Sequence, residues 1–590
     1  MSDSPKHTGS HPELVIAIDI GTTYSGVSYT ILRPGEVPDI GSVMEFSNQS
    51  LHQAKIPTVL CYDSNGKLLG VGPQTSDEAL EDTDVDAEWK RLKYIKMHFR
   101  PSGTSIDLEM DDLPPDMSAE DVMADLMSYL YTETLKYIEE HHADGGIILG
   151  QVRDRIQFVF THPNGWAGMP QQRYRKCAVL GGLLKNDEEA RRRIRFVSEG
   201  EASALSCLSS KYAPSPLPFN YKFIVLDAGG GTLDVSGYRV VRSCPLELEE
   251  IAVPDSRFAG SIFVNEKARE IIEECVQDSK FDDGETVNNI LQEFESKTKL
   301  SFDSASRKYS IKIPGVRETI KSLGIVNGCL KLPGERIEEC FRFSIENAIE
   351  SVSSVRDQVS DFSGDMPIWL VGGFGASPWL FKQLKEKLGP KGFPVCKPDS
   401  NQRVFVAKVV ADGAIHFYIH KSVTTRLSPS SYGVRSSVPY RHYDEDHQRR
   451  KHLIKKHKKN GQYIGPTFSC IAKKNEKLSM GGGSSACGYF REVQTPLHAD
   501  ILSGLYAYEG EDPAPIWFDE NRDKFRKLCD ITADLRELCT PESRVVVDGV
   551  GLWELHYSIE LTLGSTEIEA RVKWEHEGET KYSEAKVVYV

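Results

Sequence analysis

Long apolar runs are missing from this chain. No window approaches the roughly 18 consecutive apolar residues of a spanning helix, so no membrane span is expected. Positive charge is in deficit too: 71 Lys and Arg stand against 86 Asp and Glu, a formal net charge of −15 at pH 7. Such a surface repels phosphate backbones, which excludes nucleic acid as the main ligand. The opening residues, MSDSPKHTGSHPE, lack the apolar core of a secretory signal. The 12 cysteines form no C-x-x-C pair and no zinc-ligand spacing. They read as reduced, mostly buried thiols, which places the chain in the cytoplasm. What is present suits a globular protein of more than one domain: 590 residues, 39% apolar and 27% charged.

Glycine is concentrated where it carries chemistry. In FIVLDAGGGTLDVSGYRV, Phe223 to Val240, an apolar run reaches Asp227, Gly229 to Gly231 and Thr232 follow, and Leu233, Val235 and Val240 come after. Familiar glycine-rich phosphate turns lead into a helix, whereas this one leads into a strand. A second copy stands in LVIAIDIGTTYSGVSYTIL, Leu14 to Leu32, with Asp19, then Gly21, Thr22 and Thr23. Beyond it Val27, Tyr29 and Ile31 alternate with Gly26, Ser28 and Thr30, a period of two that marks a strand. Each copy begins a domain-sized half, as in an internal duplication. Glycine lets the backbone approach a phosphate, successive N–H groups form an anion nest, and threonine adds neutral donors. A carboxylate beside a triphosphate needs an intervening cation, so Asp19 and Asp227 are expected to hold Mg²⁺ through water.

A third element, PIWLVGGFGASPWLFKQLKEKLG, runs from strand to helix, with Gly372 and Gly373 in the turn, Ser377 as N-cap and Pro378 at the first helical position. It fails as a dinucleotide fingerprint because Pro378 occupies the third glycine position. A turn closing on a nucleoside is the better reading.

Together these stretches resemble the actin, sugar-kinase and heat-shock ATPase superfamily, and within it the seventy-kilodalton heat-shock chaperones. DIGTTYSG resembles the first phosphate loop, DAGGGTLDVS the second and LVGGFGASP the adenosine loop. The stretch Phe158 to Leu183 is similar to the segment with the switch proline, here Pro163, and its arginine, here Arg173. FVSEGEASAL and VADGAIHFYI resemble the two connecting helices, the first carrying Glu199. The resemblance spans Leu14 to His420 and implies an α/β, two-lobed, duplicated ribonuclease-H-like fold of actin type with ATP between the lobes. It implies that Gly21, Thr22, Thr23 and Tyr24 clamp the phosphates against Gly229, Gly230, Gly231 and Thr232. Asp19, Glu199 and Asp227 then surround hydrated magnesium and position the attacking water, and Thr232 orients the γ-phosphate. Asp234 is either a further member of that group or a solvated strand residue. A lysine is also required; DAEWKRLKYIKMHF offers Lys90, the first choice, or Lys96. Lys297 in FESKTKLSF is carried over to the base, as are Gly372 and Gly373 to the nucleoside. Phe374 and Ala376 stand where the family has serine and arginine, and Phe374 is a candidate apolar platform for the base.

The expected organisation is a disordered N-terminus over 1–13 and a nucleotide-binding domain over 14–421. That domain comprises lobe I at 14–205, lobe II at 220–400 and a return helix at 404–420. A linker with a basic insertion follows at 422–465, then a β-rich C-terminal module at 466–590. The basic block RRKHLIKKHKKNGQ reads as a solvated loop, with nuclear import or an anionic surface as alternatives. In TEIEARVKWEHEGETKY, Ile568, Ala570, Val572 and Trp574 alternate with charged residues, a half-buried strand before a turn at Gly578. The module resembles the chaperones' peptide-binding β-domain without room for a helical lid, as in the atypical lidless branch. The implied function is a weak ATPase that binds Mg-ATP and switches conformation, with polypeptide clients or co-chaperones as partners. A small-molecule kinase and a nucleotide-gated scaffold are the alternatives.

Overall fold

The computed structural model describes residues 6–49, 53–76, 79, 89–101, 103–104, 106, 108–210, 213–359, 364–398, 403–457, 461–479, 485–495, 500–511, 513–563 and 568–584. The chain divides into two compact units, Met1–Ser422 and Val423–Val590.

In the first unit, β1 (Glu13–Ile20) is buried along almost its whole length, as its unbroken apolar run requires of a strand covered on both faces. It pairs antiparallel with β2 (Tyr24–Leu32), and β2 with the short β3 (Lys55–Pro57). On its other side β1 lies parallel to β4 (Gln157–His162), and β4 to β5 (Ile194–Ser198). The same plan of pairing recurs later. There β6 (Lys222–Ala228) and β7 (Leu233–Ser243) form an antiparallel hairpin, β8 (Leu246–Glu250) follows on β7, and β9 (Ile368–Val371) and β10 (Val395–Cys396) continue in parallel from β6. Each sheet has its own apolar core, one built around Ile16, Ile18 and Phe160, the other around Ile224, Leu226 and Leu370.

Helices cover these sheets. The helix α1 (Ala119–His141) opens on the expected capping box, in which Ser118 accepts from the Asp121 N–H and the Asp121 carboxylate accepts from the Ser118 N–H. It buries Met123, Met127, Leu130 and Ile138 in the first core. The helix α2 (Glu199–Ser209) follows β5 directly, with Ser198 as its N-cap. The helix α3 (Ser261–Val276) and the helix α4 (Pro378–Leu388) pack in the second core, and α5 (Arg403–His420) ends the unit. Asp412 on α5 ties back to the first sheet by accepting from Ser28 at 2.5 Å and Ser42 at 3.1 Å.

The second unit is built from two antiparallel sheets. In one, β12 (Ile454–His457), β13 (Gly461–Ala472), β11 (Ser431–Pro439), β15 (Asp500–Tyr508) and β16 (Phe525–Ala533) lie in that order. In the other, β14 (Ser485–Val493), β18 (Val550–Leu563), β19 (Ile568–His576) and β20 (Glu579–Glu584) follow one another, with β17 (Arg544–Val547) on β18. Val434, Leu505 and Ile531 of the first sheet share a core with Leu555, Ile559 and Val572 of the second. Ala570, Val572 and Trp574 are buried as the alternation requires.

The linker expected at 422–465 is corrected here. Its serine-rich start contains β11, a central strand paired on both sides, with Tyr432 and Val434 in the core. Pairing from both neighbours overrides a loop-like composition. One cation of the basic block is built in: Arg450 bonds Asp519 at 2.8 and 3.1 Å and Glu520 at 2.7 Å, and stacks over Trp517, whereas Arg449, Lys451, Lys455 and Lys456 are exposed as a solvated face requires. Lys458, Lys459 and Asn460 of that block lie outside the described residues.

Candidate functional site

Asp19 is the penultimate residue of β1, and Asp227 occupies the same place on β6. Beyond each, a glycine-containing bend turns the chain into the antiparallel partner. The second bend is closed by a Gly229 N–H bond to the Thr232 carbonyl at 3.0 Å. The carbonyls of Gly229, Gly230 and Gly231 accept from the N–H groups of Ser261, Ile262 and Gly260, at the start of α3. The carbonyl side of the bend is thus held against the helix, which is what a nest of N–H groups facing the other way requires.

The two bends meet. A Cβ placed on Gly230 would stand 2.5 Å from Thr23 Oγ1, and one on Gly231 2.4 Å from Thr22 Oγ1. Only hydrogen at both positions permits this approach. Thr22 is buried and Tyr24, at the start of β2, is half exposed.

Beneath the bends lies a buried charged cluster. Asp19 accepts from Lys55 Nζ at 2.8 Å and from Thr161 Oγ1 at 2.9 Å. Glu199, the first residue of α2, pairs with Lys96. Asp227 accepts from Ser203 Oγ at 2.6 Å, and Asp234 from the Asn164 N–H at 2.6 Å. Asp19, Glu199, Asp227 and Asp234 are all less than a tenth exposed, as is Lys96. Four buried carboxylates therefore face two lysines. Burial raises the Asp227 pKa to about 7, assisted by the charge of Glu199. Burial, then the charge of Asp19, also lifts Glu199, although Lys96 opposes this. Asp234 is raised well above its ordinary value by burial and then Glu199. Asp19 behaves oppositely: burial would raise it, but Lys55 and Lys96 hold it below its ordinary value. Burial works against the charge of Lys96, yet Glu199, Tyr174 and Asp19 together outweigh it and the lysine is held more firmly protonated.

The structure thus brings together Asp19, Gly21, Thr22, Thr23, Glu199, Gly229, Gly230, Gly231, Asp227 and Thr232. Gly372 joins them: at φ +82° its missing Cβ would stand 2.3 Å from Asp227 Oδ1, while Gly373 begins the short turn that follows. Asp234 is a member of the cluster and not a solvated strand residue. Lys90 is not brought in. It lies on the exposed strand Trp89–Lys93 beside Asp112, and Lys96 is the lysine that reaches Glu199. Lys297 is also turned outward, two-thirds exposed and paired with Glu293 at 2.7 Å. Two residues further on, Lys299 is the buried lysine, donating to Asn265 at 2.8 Å. The π-helical turn Phe294–Thr298, which contains Lys297, shifts the face that a regular helix would present. Phe374 does not form a platform for a base, because it is buried in the second core against Phe341. Arg173 bonds Glu120 at 2.9 Å and the His98 carbonyl at 2.6 Å, and stacks on Phe99, while Pro163 immediately precedes Asn164.

Sequence reasoning missed Lys55. Its signal was faint: a single cation on a three-residue strand whose centre, Ile56, is buried.

Fold and site together define a mixed α/β protein with several sheets, consistent with an actin-like ATPase fold. No protein-family profile matches the chain. It is 22% identical to heat shock 70 kDa protein 12A of mouse (Mus musculus) over 522 residues, 75% of this chain and 74% of that protein. The human (Homo sapiens) protein of the same name matches equally, at 22%. Human heat shock 70 kDa protein 12B is 21% identical over 532 residues, covering 75% of each chain. The chain is a distant homologue of these atypical heat-shock-70-like proteins.

Proposed function

We propose that the first unit is a duplicated, two-lobed, ribonuclease-H-like nucleotide-binding domain. In this reading it grips Mg-ATP between the bends at Gly21–Tyr24 and Gly229–Thr232 and hydrolyses it slowly to switch conformation. The observation that carries the reading is the contact between two aspartate-bordered bends above one buried carboxylate cluster. The donor set suits a hard divalent cation: four buried carboxylates supply oxygen ligands, and a cation there would favour the ionised forms that burial opposes. Among the described residues no three metal-ligating side chains converge closely enough to hold a bare ion, so Asp19, Glu199 and Asp227 are assigned to a hydrated one. That ion would neutralise phosphate charge as it develops.

The rest falls to the protein. The bend N–H groups and Thr22, Thr23 and Thr232 orient phosphate oxygens, and Glu199 positions a water. Lys96, held by Glu199, takes the role first assigned to Lys90. Gly372 and Gly373 border the nucleoside. The β-rich second unit is the proposed responder, with polypeptide clients or co-chaperones as its partners.

Millimolar Mg-ATP should raise the melting temperature, a micromolar site gaining about 4 kcal/mol at a thousandfold excess. Single-turnover assays should then yield ADP without an added acceptor. Absence of any thermal shift with any nucleotide sinks the proposal; turnover only with a small-molecule acceptor makes the protein a kinase.

A further inference from the structure

The row of residues beside Asp19 contains a cation of its own. Asp19 on β1 lies opposite Gly26 on β2, and Gly26 opposite Lys55 on β3. Three neighbouring strands therefore carry, in register, a carboxylate, a bare Cα and a lysine. The bare Cα matters. A Cβ on Gly26 would stand 3.0 Å from Lys55 Cγ and 2.6 Å from the Ala54 carbonyl oxygen. Across this gap the Lys55 stem passes, and Nζ reaches Asp19 Oδ2 at 2.8 Å. Its charge also acts on Asp227 and Glu199. A single ammonium thus interacts with the same three carboxylates to which hydrated magnesium is assigned. Lys96 is already committed to Glu199 at the other side of the cluster.

We propose that Lys55 is a tethered cation of the phosphate site, supplying part of the positive charge that a divalent ion otherwise provides. A nucleoside di- or triphosphate then binds even when magnesium is removed. This rests on the nucleotide reading above and adds to it a reduced metal dependence encoded in this chain. An ammonium on a flexible stem suits the role, since it is a compact point charge with three donors that can turn from carboxylate to phosphate. When Mg²⁺ is present the lysine competes with it for Asp19, so its removal should tighten metal binding.

The test uses the full chain and titrates ADP by calorimetry, in magnesium and in excess EDTA. EDTA should weaken wild-type binding by less than about tenfold and weaken Lys55→Met by about a hundredfold or more. In magnesium Lys55→Met should weaken binding by less than about tenfold. Lys55→Arg should resemble wild type, and Lys55→Gln serves if Lys55→Met does not fold. Loss of wild-type binding in EDTA overturns the proposal, as does equal sensitivity of wild type and Lys55→Met. Failure of wild type to bind ADP even in magnesium sinks the nucleotide reading itself, which is a different result. A second measurement needs no nucleotide: Mn²⁺ titration followed by electron paramagnetic resonance should give tighter binding in Lys55→Met than in wild type. Equal Mn²⁺ affinity contradicts the tethered cation.

Discussion

At the scale of single residues, the behaviour of Asp227 is set by what surrounds it and not by its hairpin. Buried near Glu199, with Ser203 as its hydrogen-bond donor, it holds its proton up to about pH 7, against 3.8 for an ordinary aspartate. The sign of the consequence follows from linkage. A carboxyl whose folded pKa is raised stabilises the protein fully below its unfolded value and loses that contribution as pH rises through the folded one. Nucleotide-free protein should therefore lose stability from this group between about pH 4 and pH 7. Melting curves across that range should show a steeper decline for wild type than for Asp227→Asn, which carries no such proton. Identical slopes would mean that Asp227 ionises normally. Saturating Mg²⁺ should flatten the wild-type curve by favouring the charged form.

At the scale of elements, the same two bends were legible in the sequence because their chemistry is local. An apolar strand, an aspartate, a glycine-threonine turn and a second strand all fall within about twenty residues. The lysine was not legible. Lys90 and Lys96 share one basic stretch, and what separates them is a left-handed Tyr94, at φ 59°, between the exposed strand Trp89–Lys93 and the 3₁₀ turn Ile95–Phe99. That reversal carries Lys96 inward to 2% exposure while Lys90 stays outside. No periodicity announces it. The same holds for Lys55, visible only once the register of three strands is known, and for β11, whose serines hide a central strand. Single-turnover ATP hydrolysis discriminates the two lysines. Lys96→Met should lower the rate on the order of a hundredfold, whereas Lys90→Met should stay within about twofold of wild type. Lys96→Met should also melt lower, since it strands the Glu199 carboxylate without its partner. A larger loss in Lys90→Met than in Lys96→Met would return the role to Lys90.

At the scale of the whole molecule, the aspartate-bordered bends and the pair of antiparallel sheets fall in two different compact units, and the described residues contain no helix long and apolar enough to cross a membrane. Within the first unit the carboxylates come from both sheets, so any ligand that engages them couples two separately packed cores. The touching threonines and glycines add a kinetic consequence. If nucleotide seats between the bends as proposed, Thr22 and Thr23 must withdraw from Gly230 and Gly231, where even a Cβ would stand 2.5 and 2.4 Å from a threonine oxygen. Arrival is then governed by how often the cleft gapes, not by how often nucleotide collides with it. Stopped-flow traces should reach a ceiling rate as concentration rises, with the same plateau for ADP and ATP.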